Sequence, residues 1–161
     1  MKLYMKQKVF SWVDRFTIRD ADENDCYFVE GEFFTWGKKL HLYDVGGSEV
    51  AFIRQKLWSF LPRSFVYVDG EQAAEIVKEF TFLKPRYRIE GPGWEVSGDL
   101  WGHNYEISER GESIVCVHKA WFTWGDSYEL DIRREGDEVK ALAVVLAIDC
   151  VMDQAAATAS S

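Results

Sequence analysis

The tetrad FTWG stands at Phe34 to Gly37 and returns at Phe122 to Gly125. Looser copies lie around and between them: FSWVDRFTI from Phe10, WSFLPRSFVYV from Trp58, FTFLKPRYRI from Phe80 and LWGHNYEI from Leu100. Six related turns at starts 10, 34, 58, 80, 100 and 122 make a repeat of roughly 22 residues, the kind of period that marks a recurring supersecondary unit.

Between consecutive copies runs a second class of turn, DADEND, DVGGSE, DGE, EGPG, ERGE and REGDE. Its Gly, Asp and Asn residues tolerate positive φ or form side-chain turns. Each period thus holds two turns and two short segments, and the segments alternate or carry β-branched and aromatic residues, as in SEVAFIRQ and SIVCVHK. Such segments read as half-buried strands. The expected fold is mostly β, with about twelve antiparallel strands in a meander of six hairpins. Closing that sheet into a barrel removes its unpaired edges.

A barrel of that size is too wide to be filled by its own side chains. The C-terminal stretch offers the filling, because from about 137 to 152 it has strong helix formers and almost no polar face. A helix apolar all round is a buried helix. Gly136 and Asp137 supply its expected start and cap, and Asp149 falls near its exit. The domain organisation follows: one unit over 1–153, then a disordered tail of small residues over 154–161. The apolar run Ala141 to Met152 contains Asp149 and is shorter than the roughly 20 residues that span a bilayer, so no transmembrane segment is expected.

A formal charge of −8 excludes a protein that coats nucleic acid through a basic field. Cys26, Cys116 and Cys150 show no CxxC spacing, and the N-terminus MKLYMKQK lacks a signal-like apolar run. Both features indicate a cytoplasmic chain, with peripheral contact to a membrane as the one extension considered.

The segments KLYMKQKVFSWVDRFTIRD, EVAFIRQKL and VLAIDCVM resemble those of a bacterial member of the LURP-one-related proteins, which share the tubby C-terminal-like fold with phospholipid scramblases. The likeness covers about residues 2 to 152. It implies a twelve-strand barrel around a central C-terminal helix and a connection with lipid, with no established activity. YELDI leading into LAVVLAID is similar to the end of scramblases, but the acidic calcium-loop pattern those proteins carry before it is absent from GDSYELDI.

Successive turns of a meander alternate ends. All FTWG-type turns therefore gather at one end, where Lys and Arg outnumber acids, and all Asp/Gly turns at the other, which is strongly acidic. Aromatic rings beside basic residues suit an anionic membrane surface. The candidate ligand-binding residues are Trp36, Lys38, Lys39, Phe60, Arg63, Phe82, Lys84 and Arg86. The competing reading has these aromatics pointing inward to plug the barrel around the helix, a packing need common to six hairpins, and it is the one favoured by the repeat itself.

Catalysis finds little support. His41, His103 and His118 form no close metal-ligand pair, and no GxSxG, P-loop or dinucleotide pattern is present. Neither a metal nor a cofactor is expected. Cys116 and His118 share a strand face, with inward packing of the cysteine the simpler account. Asp20, Asp22, Glu23 and Asp25 lack the glycine and glutamate positions of an EF-hand and read as a solvated turn. The expected function is a non-catalytic module that binds an anionic lipid headgroup or a protein partner at the basic aromatic end. The alternative is a small-molecule binding protein or enzyme with a pocket between barrel wall and helix.

Overall fold

The computed structural model describes residues 1–6, 15–32, 37–122 and 125–160, with no account of the side chains of 6, 121, 122, 125 and 126. Twelve strands precede one helix. They are β1 (Lys2–Lys6), β2 (Arg15–Arg19), β3 (Asp25–Glu32), β4 (Lys39–Asp44), β5 (Glu49–Gln55), β6 (Arg63–Val68), β7 (Glu71–Glu79), β8 (Arg86–Glu90), β9 (Glu95–Asp99), β10 (Asn104–Glu109), β11 (Glu112–Phe122) and β12 (Gly125–Ile132). The helix is α1 (Glu138–Ala159).

Every ladder is antiparallel, and β1 pairs with β12 in the register Leu3↔Leu130, so the first and last strands of the chain zip together. The Met1 ammonium donates to the Ile132 carbonyl at 2.7 Å beside this junction. The barrel is nearly closed rather than closed, because the strand order runs from β8 through β1 and β12 to β9 with no ladder between β8 and β9. Their connection contains Pro92, which has no N–H to donate. At that seam Trp94 turns into the core, and Lys140 of α1 stands 5.3 Å over its ring.

Alternation decides which residues reach the interior. Leu40 and Leu42 of β4 are buried and sit in register with Ile53 and Ala51 of β5, while His41 and Tyr43 face outward against Phe52 and its neighbours. A one-residue slip would exchange these faces, so burial pins the register. Register shifts recur in β2, β4, β6 and β10 next to the Asp/Gly turns, and bulges of this kind add the twist that lets a sheet curl. The β6–β7 turn has positive φ at both Asp69 and Gly70, the geometry that matches strand twist in a two-residue hairpin.

The helix runs through the barrel from the acidic end to the aromatic end. All residues from Ala141 to Val151 are buried, which places wall on every side of it, and Ala141, Ala143 and Ala147 keep it slim enough to fit. Its 22 residues and mean hydropathy of 1.6 in its most apolar window would suffice to cross a bilayer by length and composition, but 61% of that window lies inside the barrel.

Two expectations about this helix are corrected. Asp137 makes no side-chain cap; its carboxylate is drawn instead to Arg134 at 3.4 Å and Lys140 at 3.3 Å. The residues after 153 do not form a disordered tail as far as described: α1 continues to Ala159, because alanine is the best helix former and this stretch carries four of them.

Candidate functional site

Three strand connections at the aromatic end lie wholly within the described residues: β5–β6, β7–β8 and β9–β10. Two are neighbours because β6 pairs with β7: the β5–β6 loop, 56–62, and the β7–β8 loop, 80–85. The Lys78 amide donates to the Pro62 carbonyl at 3.0 Å, tying the base of one loop to the other. Above that tie the apolar side chains point into solvent. Trp58 is 92% exposed, Phe60 93%, Phe82 96% and Leu83 89%, with Phe80 close behind and Trp101 of the β9–β10 turn also exposed.

These orientations overturn the inward-packing reading at Phe60 and Phe82. The core around α1 is already filled by the inward strand residues, so these rings have no interior volume to occupy. Trp36 and Trp124 lie outside the described residues.

The basic candidates divide into two sets. Lys38 is engaged with the Asp153 carboxylate of α1, and burial pushes its ammonium below the usual range. Lys39 lies 3.4 Å from Glu32, and Arg63 lies 3.0 Å from Glu75. Lys84 and Arg86 are exposed and have no ion-pair partner among the described residues. Lys56 joins them at the rim, with its ammonium 5.8 Å from the Phe65 ring centre.

Phe60, Phe82, Lys84 and Arg86 are therefore brought together on the adjacent loops and the start of β8, while Lys39 and Arg63 are tied into the barrel wall and Lys38 to α1. Trp58, Phe80, Leu83 and Trp101 belong to the same surface, though the sequence reading did not single them out. Their signal was present, since Trp58 and Phe80 begin two copies of the repeat and Trp101 follows the start of another.

Beneath this surface lies a buried polar group. Asp149 is 7% exposed, its Oδ1 has no hydrogen-bond partner, and burial raises its carboxyl to about 7. His103 Nε2 lies 3.7 Å away, on a ring stacked against Tyr128 at 4.2 Å and lowered in pKa chiefly by burial. The Tyr105 hydroxyl is also buried without a partner, and its pKa is driven upward by burial and by Asp149.

Other sequence candidates resolve simply. Asp20 Oδ1 accepts from the amides of Asp22 and Asn24, both at 2.9 Å, which makes it the organiser of a turn and lowers its pKa. Cys116 does not pack inward: it pairs in register with Asp131 and Glu106 on the outer face, where its neighbours bury it. His118 Nδ1 is 2.9 Å from Asn104 Oδ1, so the two do not form a thiolate–base pair. A groove of about 270 Å³ lined by Glu49, Phe52, Arg54, Tyr67 and Asp69 lies on the outside of the wall, away from the helix.

The LURP-one-related family model matches residues 1–149. The chain belongs to the LURP-one-related family. It is 40% identical over 152 residues to the uncharacterized protein YxjI of Bacillus subtilis, covering 94% of each chain. It is also similar in fold to a solved structure from Arabidopsis thaliana, with a TM-score of 0.61 at 16% identity over 92% of this chain and 89% of that one. At that identity the likeness concerns architecture alone: this LURP-one-related chain has the tubby-like twelve-strand barrel with its C-terminal helix.

Proposed function

We propose that this protein is a non-catalytic binding module that docks by its aromatic end onto an anionic membrane surface. One observation carries the reading. Trp58, Phe60, Phe82 and Leu83 are almost wholly solvent-exposed on two adjoining loops, and Lys56, Lys84 and Arg86 stand beside them. A patch of this kind rimmed by charge is costly to leave in water and marks an interaction surface.

Magnitudes favour insertion over point-by-point headgroup recognition. Burying a large apolar side chain contributes about 1.5–3 kcal/mol, whereas a basic residue near an anionic leaflet contributes about 1 kcal/mol. Four apolar side chains against three basic ones make the apolar contribution the larger, with charge setting orientation and lipid preference. The cytoplasmic leaflet supplies the anionic surface, and the free thiols of Cys26, Cys116 and Cys150 suit that compartment. The pocket reading gains no support from α1, whose buried stretch is enclosed by side chains of the wall.

Co-sedimentation with phosphatidylserine-containing and neutral vesicles tests the proposal. Binding to the anionic vesicles that survives moderate salt is expected. Failure to sediment with either, even at low salt, overturns it, and a protein partner would then be the occupant to seek.

A further inference from the structure

Buried polar groups are nearly always paired, yet Asp149 Oδ1 and the Tyr105 hydroxyl are both sealed from solvent without a partner. Asp149 stands near the end of the buried stretch of α1, close enough to Tyr105 to act on its pKa, and His103 approaches Asp149 from the β9–β10 turn. That turn is held in a sparsely populated conformation. His103 has φ of +50°, its amide donates to the Leu100 carbonyl at 3.1 Å, and the Gly102 amide donates to Asp99 Oδ1 at 3.0 Å. A non-glycine residue so placed persists only where its surroundings over-determine it.

We propose that Asp149, His103 and Tyr105 form a proton-operated latch that fastens the β9–β10 turn, and the exposed Trp101 it carries, to the exit of α1. The inference goes beyond membrane docking and does not rest on it.

In the tautomer protonated at Nδ1, Nε2 of the neutral imidazole faces Asp149 as an acceptor. A protonated Asp149 donates to that nitrogen once the 3.7 Å gap closes by about 1 Å to hydrogen-bond length. An ionised Asp149 instead sets acceptor against acceptor in a low-dielectric site, where such a contact is strongly unfavourable. Loss of one proton thus converts cohesion into repulsion, with the Tyr105 hydroxyl as the remaining donor.

Burial moves Asp149 up to about 7 and His103 down, so the exchange falls near neutrality. Lys119 of β11 and Asp99 of β9 act on His103 in opposite directions. Tyr128 of β12 acts on Tyr105, and Cys150, next along α1, is pushed up to about 12 and stays a thiol. Lys38 and Arg63 at the same exit are engaged with Asp153 and Glu75.

Hydrogen exchange of the full chain, read on peptides covering 99–105 and corrected for intrinsic rate, tests the latch. Raising the pH from about 6 to about 8 is expected to speed exchange there on the order of tenfold while β4 to β6 stay unchanged, and Asp149→Asn abolishes the difference. Equal exchange at both pH values, or a difference that persists in Asp149→Asn, overturns the latch. If the variant does not fold, a carboxyl carbon titration of the unmodified protein decides: an Asp149 midpoint in the ordinary carboxylate range is equally fatal. No vesicle enters these measurements, so the docking reading stands or falls separately.

Discussion

Arg63 of β6 reaches across the ladder to Glu75 of β7, with Nη1 3.0 Å from Oε1. Both side chains are largely covered, and the pair shows why positive charge at the aromatic end is not all alike. A guanidinium committed to a carboxylate in the wall belongs to the barrel, whereas Lys84 and Arg86 remain open to a ligand.

Replacing Arg63 by Gln is therefore expected to lower stability and spare docking. Leaving Glu75 without its partner costs about 1–3 kcal/mol, measurable by urea denaturation. Affinity for anionic vesicles should stay within about twofold of the parent, because Arg63 makes no part of the exposed rim.

The loop residues should behave in the opposite way. The combined change Trp58→Ser, Phe60→Ser and Phe82→Ser is expected to reduce vesicle affinity by more than about 100-fold, since it removes apolar area equivalent to several kcal/mol. Thermal unfolding should be unchanged, because these rings contact solvent. Lys84→Gln with Arg86→Gln should weaken binding less, about tenfold or more, and reduce the preference for anionic over neutral vesicles, Lys56 remaining.

Asp149 sets a pH dependence of stability. Its folded pKa of about 7 exceeds the ordinary carboxylate value, so between about pH 4 and pH 7 the folded state binds more protons than the unfolded state. Stability then falls as pH rises through this window, by at most about 4 kcal/mol from a shift of roughly three pH units. His103, lowered by burial, has the reverse sign and withdraws stability only as pH falls below its unfolded value. Asp149→Asn should be more stable than the parent near pH 8 and lose most of the dependence, as read from denaturation midpoints at pH 5 and pH 8.

Two glycines with similar backbone should respond differently to alanine. At Gly98, φ is +114° and a Cβ would stand 2.8 Å from both the Asn104 carbonyl oxygen and Tyr105 Cα. Backbone cannot yield cheaply there, so Gly98→Ala should cost roughly 3 kcal/mol or more. At Gly47, φ is +83° and a Cβ would meet nothing within 4 Å, leaving only the conformational penalty of about 1 kcal/mol. Paired urea titrations measure the difference.

Much of the architecture could be read from local pattern. Alternation in SEVAFIRQ and its relatives, punctuated by DG and RG turns, reports strand and hairpin because side-chain direction has period two along a strand. The all-apolar face of ALAVVLAI reports a buried helix for the corresponding reason. The candidate surface was legible as a set of loops, and only partly as a set of residues. Lys38 and Asp153 are 115 positions apart, and nothing local says that they meet. The outward turn of Phe60 and Phe82 was hidden too, since loop side chains obey no period.

What the sequence by itself determined was the number of strands, their order in a meander, the helix that fills them and the sorting of basic aromatic turns to one end. These depend on periodicity and turn chemistry, which act over a few residues. The open seam between β8 and β9, the placement of Asp149 against His103 and Tyr105, and the choice of which cations are paired were decided by tertiary structure. Each arises from how residues distant in the chain share the fixed circumference and interior of one barrel.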